Sequence, residues 1–384
     1  MSLLDYYRQY ADIDEEEWNQ HLRARRAREK ALALEEVPAL DLSGTEWPEL
    51  PDSEVVNAGI YAARGAMNGY PDRHAGELRT ALAQRHGVPA DQIAVGNGSA
   101  ELMQAAALVL LAGGGELAMP WPSYPLYPLM ASRAGGRPVA VELDAGRVDT
   151  DAVLAAVGER TRAVVVCDPN DPTGTHLGAD GVRALAQQLP EHVHLLVDEA
   201  LVQFVDGDDE DATLRLVREL PRLLVFRTFS KIYGLSGLRT GYAVASEGSG
   251  ELLDSISPAL GVNAPSQAAA LHALRTGDPE IDRRRATVIH ERRRILAALP
   301  SLPLDAPESQ ANFLWLRAPG LSGAELGARL EHERILVAPG GPLGEEDHVR
   351  LTVQGGGATD RLLEILGRAF GGPARPGGSE PPSV

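Results

Sequence analysis

Between residues 56 and 257, short apolar runs alternate with stretches whose apolar residues recur every three or four positions. The runs 92–95, 116–119, 138–143, 162–167, 193–197, 223–226 and 241–245 are mostly aliphatic, and several are apolar at every position. A strand that is apolar on both faces belongs in a sheet covered on both sides, which is how parallel sheets are built. Helical spacing lies between the runs, for example at 76–86 and 100–111. This βαβα alternation predicts an α/β layered domain. Beyond about residue 270 the pattern changes: a long arginine-rich helix is expected at 281–299. It is followed by strand 312–316, helix 322–332, strands 335–337 and 349–353, and helix 359–370, a compact α+β lobe.

The ends read differently. Residues 1–36 are charged and helical, with a thin apolar stripe at Trp18, Leu22, Ala31 and Leu32, as in an arm laid on another surface. Residues 37–55 read as loop, punctuated by Pro38, Pro48 and Pro51. Residues 371–384 are proline, glycine and serine and predict a disordered tail. The expected division is an N-terminal arm with part of a small domain over 1–55, a large domain over 56–265, and a small C-terminal domain over 266–370.

Composition narrows the function classes. The 384 residues are 44% hydrophobic and 23% charged, ordinary for a globular chain large enough to bury its own core. A net charge of −18 argues against a general nucleic-acid binder, which needs a basic surface. The first residues lack a basic segment followed by an apolar one, so no signal peptide is expected. No apolar run approaches the ~20 residues of a membrane helix. The single cysteine, Cys167, excludes an internal disulfide or a cysteine metal cluster and fits a reducing cytoplasm.

The lysines are the most informative count. Lysine and arginine total 36, yet only Lys30 and Lys231 are lysines. A lysine kept where arginine is the general choice is a candidate for chemistry arginine cannot do, such as attack on a carbonyl. Lys30 sits in a charged helical run and reads as surface; Lys231 sits in an apolar stretch rich in glycine and hydroxyls.

Polar residues gather after three predicted strands, where open α/β sheets bind ligands. AVVVCDPNDPTGTHL carries Asn170, Pro172 and Gly174; HLLVDEALVQF carries Asp198 and Glu199; LLVFRTFSKIYGLSGLRTGYAVA carries Thr228, Ser230, Lys231 and Arg239. Gly98 and Ser99, in GNGSAE, follow a strand and open a helical run whose free N–H groups suit an anion.

Thr228-Phe-Ser-Lys231 with Gly-Leu-Arg239, Asp168-Pro-Asn170-Asp-Pro-Thr-Gly174 and Asp198-Glu-Ala200 occur in order. In these motifs the chain resembles the fold-type I pyridoxal 5'-phosphate (PLP) enzymes. It resembles in particular the class I/II aminotransferases near the histidinol-phosphate aminotransferase branch, over roughly residues 40–370. The resemblance implies a large, mostly parallel-sheet αβα domain that binds PLP and a smaller α+β domain. It implies that Lys231 binds the cofactor covalently and shuttles a proton, and that Asp198 faces the ring nitrogen. It implies that Asn170 donates to the ring's phenolic oxygen, with a further place at the substrate. Gly98, Ser99, Ala100, Thr228, Ser230 and Arg239 would hold the phosphate. Tyr124 resembles the aromatic stacked on the ring, with Tyr127 a competing choice. Tyr70 resembles a tyrosine that reaches the phosphate of a neighbouring subunit, which implies a homodimer with shared active sites. Arg350 resembles the clamp for the substrate α-carboxylate, supported by Asn312. Trp47 either lines the side-chain pocket or packs as a loop tryptophan.

The chain departs from the family pattern at several points. Leu201 stands where a tyrosine is usual, and Ala100 where an acid is usual. Ala338 stands where the histidinol-phosphate branch has a phosphate-reading arginine, and Gly44-Thr45-Glu46-Trp47-Pro48 replaces Asn-Glu-Asn-Pro. The expected activity is therefore transfer of the amino group of an α-amino acid to a 2-oxo acid, by a ping-pong route. The alternatives are another outcome after Cα deprotonation (decarboxylation, elimination or cyclisation), histidinol phosphate as substrate, or a cofactor-binding regulatory module. No metal is expected: His192 and His194 alternate on one strand with no third ligand nearby. The acidic run 206–211 reads as a solvated loop, and no serine has a Gly-x-Ser-x-Gly context.

Overall fold

The computed structural model describes residues 38–207 and 209–370, together with residues 23 and 24. Almost all of the arm predicted over 1–36, with Trp18, Leu22 and Lys30, and the tail 371–384 lie outside the described residues.

Twelve strands are described: β1 (Leu40–Asp41), β2 (Ile93–Gly96), β3 (Glu116–Trp121), β4 (Arg137–Glu142), β5 (Thr161–Cys167), β6 (His194–Asp198), β7 (Leu223–Thr228), β8 (Gly241–Ala245), β9 (Phe313–Arg317), β10 (Ile335–Leu336), β11 (Ala338–Pro339) and β12 (His348–Thr352). The main sheet has seven of them in the order β2-β8-β7-β6-β5-β3-β4. All its pairings are parallel except those of β8. Alternation explains the doubly apolar runs. On β5, Ala163, Val165 and Cys167 join one buried cluster while Val164 and Val166 join the other. Helices Ser99–Leu110, Leu126–Arg133 and Gly250–Ile256 cover the first face; Gly76–His86 and Gly178–Gln188 are among those covering the second. Sequence pattern does not encode strand direction, and β8 runs antiparallel for a chain-length reason. The twelve residues between β7 and β8 contain one short 3₁₀ turn and no helix long enough for a parallel crossover. That short return carries Lys231 and Arg239.

The second layer of structure is the three-stranded sheet β11-β12-β9 with helix Gly323–His332, whose Ser322 and Glu325 form a capping box. The N-terminal segment crosses to it: β1 pairs with β10, and Thr352 N donates to Leu42 O at 2.9 Å. The loop reading for 37–55 holds only in part, because a helix starts at Ser53 with Asp52 as its cap. Only part of the acidic run is solvated: among its described residues Asp209 is exposed, while Asp206, Glu210 and Asp211 are engaged. Asp211 bonds the buried Arg227 (2.6 Å) and His86 (2.9 Å), Glu210 pairs with Arg285, and Asp206 with Arg293. Their basic partners lie far away in sequence, so the run alone could not reveal them.

Candidate active site

The carboxyl ends of the parallel strands meet at one edge of the main sheet. β2 ends at Gly96, β5 at Cys167, β6 at Asp198 and β7 at Thr228. Beyond them lies a cavity lined by Glu46, Ser99, Ala100, Tyr124, Asp171, Asp198, Leu201, Thr228, Ser230, Lys231 and Arg239, among others.

One end of the cavity is an anion cradle. Arg239 has left-handed backbone (φ 51°), which aims its side chain back over the loop. Its Nη1 donates to Ser236 O (3.0 Å) and Ser230 Oγ (3.2 Å). Ser230 Oγ in turn accepts from Thr228 Oγ1 at 2.9 Å. Opposite stands the N-terminus of helix Ser99–Leu110, with Gly98 at φ 85°. A Cβ on Gly98 would stand 2.5 Å from Arg239 Nη2. Glycine keeps that space open and adopts a conformation other residues resist.

At the centre, Asp198 is 3% exposed. Its Oδ2 accepts from Tyr127 Oη at 3.0 Å and its Oδ1 from Ala200 N at 3.2 Å. Burial pushes its carboxyl up to about 6, although Tyr127, Ala200 and Lys231 all favour the anion. Lys231 donates from Nζ to Thr45 Oγ1. The residue is part-buried, and desolvation of the amine lowers its pKa, opposed by Glu46, Asp171 and Asp198. A lysine so placed loses its proton more readily and becomes a better nucleophile.

The remaining predicted residues divide. Tyr124 lines the cavity, its ring 5.7 Å from that of Tyr127 in an edge-on contact; Tyr127 is fully buried and serves Asp198 instead. Asn170 does not face the cavity. Its amide donates to Pro122 O (3.1 Å) and Thr173 Oγ1 (2.9 Å) and accepts from Ser123 (2.7 Å), so it braces two loops. The neighbouring Asp171 faces the cavity in its place, and sequence reasoning passed over it. Asp168 caps helix Gly178–Gln188, accepting from Leu177 N (2.8 Å) and Gly178 N (3.0 Å). Arg350, on β12, donates to Asp171 Oδ1 at 2.6 Å and lies over the Phe313 ring at 5.3 Å. Asn312 donates to Thr45 O at 3.1 Å, and its Oδ1 has no partner among the described residues. Trp47 packs against the Arg284 guanidinium at 5.0 Å and is not among the cavity lining. Tyr70 is 87% exposed and stands apart from the cavity within one chain.

The family model for aminotransferase class I and II matches residues 38–368. An aromatic amino acid aminotransferase of Mycolicibacterium vanbaalenii is 38% identical over 80% of this chain and 86% of its own length. A Corynebacterium jeikeium protein of the same name is 38% identical over 86% of this chain and 89% of its own. The crystal structure of histidinol-phosphate aminotransferase from Sinorhizobium meliloti in complex with pyridoxal-5'-phosphate superposes with a TM-score of 0.78 at 26% identity, covering 90% of this chain and 93% of that one. The chain belongs to the class I and II aminotransferases and has the fold-type I architecture. It is a PLP-dependent enzyme of amino-group transfer between amino and oxo acids.

The cavity fits that cofactor. Two hydroxyls, a guanidinium and a helix N-terminus around a gap that a Cβ would fill suit a phosphate dianion. A buried carboxylate, fixed by Tyr127 and Ala200, suits a protonated ring nitrogen. Among the described residues no helix is long and apolar enough to cross a membrane.

Proposed function

We propose that the chain transfers the amino group of an aromatic or similarly large α-amino acid to a 2-oxo acid, with Lys231 as the catalytic amine. The relatives' names support the donor class. The observation that carries the assignment is the placement of Lys231 among Asp198, the phosphate cradle and Arg350.

Bound in the cavity, PLP supplies an aldehyde that captures amines and a ring that accepts electron density from Cα. The protein's own residues do the rest. Gly98, Ser99, Ala100, Thr228, Ser230 and Arg239 hold the phosphate. Tyr127 holds one oxygen of Asp198 and so fixes the carboxylate that would answer the ring nitrogen. Tyr124, on the cavity wall, would lie against the ring. Lys231 would hold the cofactor and would move the Cα proton, a role that its lowered basicity suits. Arg350, braced by Phe313, binds the α-carboxylate. Ala338, buried beside Arg350 on β11, carries no charge to read a second phosphate, which places histidinol phosphate behind an apolar substrate.

We place the enzyme in the cytoplasm, on its unpaired Cys167, and as a homodimer. The dimer reading rests on an apolar groove between helix Ser53–Ala66 and loop 234–238, lined by Val56 and Ile60, with Tyr61, Met67 and Tyr70 exposed on and just after that helix. Through that face Tyr70 would reach the partner's cradle. We keep the domain division near residue 265, with 38–55 joining the small domain through the β1–β10 pairing.

The decisive test is Lys231→Ala. The purified wild type should absorb visible light, lose that band to a pyridoxamine form with a single donor amino acid, and release the oxo acid. The variant should neither convert to the pyridoxamine form at the wild-type rate nor release the oxo acid. Full transamination by Lys231→Ala would remove the assignment.

A further inference from the structure

Arg350 and Asp171 form a buried ion pair, Nη1 to Oδ1 at 2.6 Å, with side chains 3% and 8% exposed. Of the two, Asp171 lines the cavity and Arg350 does not. Among the described residues, Nη2 of Arg350 bonds Ser43 O at 3.5 Å and buried Nε has no partner. The arginine assigned to an incoming carboxylate therefore already holds a carboxylate of its own chain, and that carboxylate stands on the cavity side.

The charges around Lys231 sharpen the point. Glu46, Asp171 and Asp198 all line the cavity, against Lys231 and Arg239 as its lining cations. On the reading above, Asp198 answers the ring nitrogen and Arg239 the phosphate. At the substrate end Asp171 is held by Arg350, while Glu46 and Asp171 both act on Lys231. A substrate carboxylate entering there adds a second negative charge beside one guanidinium already neutralised by Asp171. A buried ion pair is broken only at substantial cost, because each partner loses its compensation.

We propose that Asp171 is a specificity-determining residue: it occupies the carboxylate-binding arginine, so an α-carboxylate must displace it, while a neutral group at that position need not. The site thus discriminates only weakly between amino acids and carboxylate-free analogues, and Asp171 sets the degree. This rests on the proposed role of Arg350, and the tests separate the two.

The measurement is calorimetric binding of 3-phenylpropanoate and of its neutral isostere 3-phenylpropanamide to the cofactor-loaded enzyme. In the wild type, the acid should bind no tighter than the amide. An acid bound more than tenfold tighter than the amide would overturn the proposal without any variant. In Asp171→Asn, provided its melting curve is cooperative, the acid should tighten at least tenfold and the amide should not. No tightening of the acid, or equal tightening of both, would sink it. Asp171→Ser gives the same reading where the amide variant folds poorly. Adding Arg350→Gln to Asp171→Asn separates the failures. If the acid binds the double variant as well as it binds Asp171→Asn, the carboxylate role of Arg350 is wrong. If the double variant weakens the acid relative to Asp171→Asn while Asp171→Asn itself leaves the acid as in wild type, Arg350 keeps its role and only the role of Asp171 falls.

Discussion

At the scale of single residues, the site is short of donors where a ring oxygen would lie. Leu201 lines the cavity with an aliphatic side chain, and Asn170, expected to supply an amide, is committed to Pro122, Ser123 and Thr173. The side chain that does face the cavity there is Asp171, a carboxylate already held by Arg350. A phenolate without a donor is a poorer anion, and the proton bound next to it is released at higher pH. Leu201→Tyr places a hydroxyl in that wall. Since a hydrogen bond to a charged group is worth about 1.5–3 kcal/mol, the pH midpoint of the visible absorption band should fall by about 1 unit or more in the variant. Equal midpoints in a spectrophotometric titration of the two proteins would refute the argument. The sequence was legible here in kind more than in detail. Lys231, Asp198 and Arg239 declared themselves by residue type and strand-end position. Which of Asn170 and Asp171 turns inward depends on the path of the loop, and neighbouring polar residues do not announce it. Nor could the sequence show that Tyr127 serves Asp198 rather than the ring, because both tyrosines of the WPSYPLY segment have the same composition and differ only in burial.

At the scale of elements, most strands of the main sheet were legible because burial on both faces leaves their centres apolar, as over 163–167 of β5. β8 matches its expected span of 241–245, and the others differ by a residue or two at their ends. The direction of β8 was not legible, and it matters: its antiparallel entry sets Gly241 against the turn that opens helix Ser99–Leu110. A Cβ at Gly241 would lie 2.3 Å from Ser99 N, 2.7 Å from Gly98 C and 2.9 Å from Arg227 O. All three are backbone atoms, so no side chain can swing away. Gly241→Ala must therefore push the phosphate cradle apart or shift β8. Overpacking of this kind costs about 1–3 kcal/mol, and here the strain falls on the anion site. The variant should melt several degrees lower and release its cofactor on dialysis at least tenfold more readily. A variant with a lowered melting point but wild-type cofactor retention would mean that the strain relaxes into β8 rather than into the cradle.

At the scale of the whole molecule, a chain of net charge −18 exposes a set of large apolar side chains along one helix. Val56, Ile60, Tyr61, Met67 and Tyr70, on and just after helix Ser53–Ala66, are 41–87% exposed, with Leu260 nearby in kind at 66%. A monomer seldom exposes so many large apolar side chains on one element. The groove beside them is floored by Gly234, Leu235, Gly237 and Leu238, the same loop that carries Ser236 and Arg239 toward the cavity. A second copy seated on this face would press directly on the phosphate loop, so assembly and cofactor retention become one property. Ile60→Asp puts a charge in the centre of the apolar face without touching the cavity. The wild type should sediment as a dimer at micromolar concentration, and the variant as a monomer that loses cofactor more readily. Tyr70→Phe should leave the dimer intact yet weaken cofactor binding several-fold, because a hydroxyl that is 87% exposed in one chain can matter there only through the other. A wild type that sediments as a monomer, with cofactor fully retained, would show that the groove serves something other than a second copy and that each chain completes its own site.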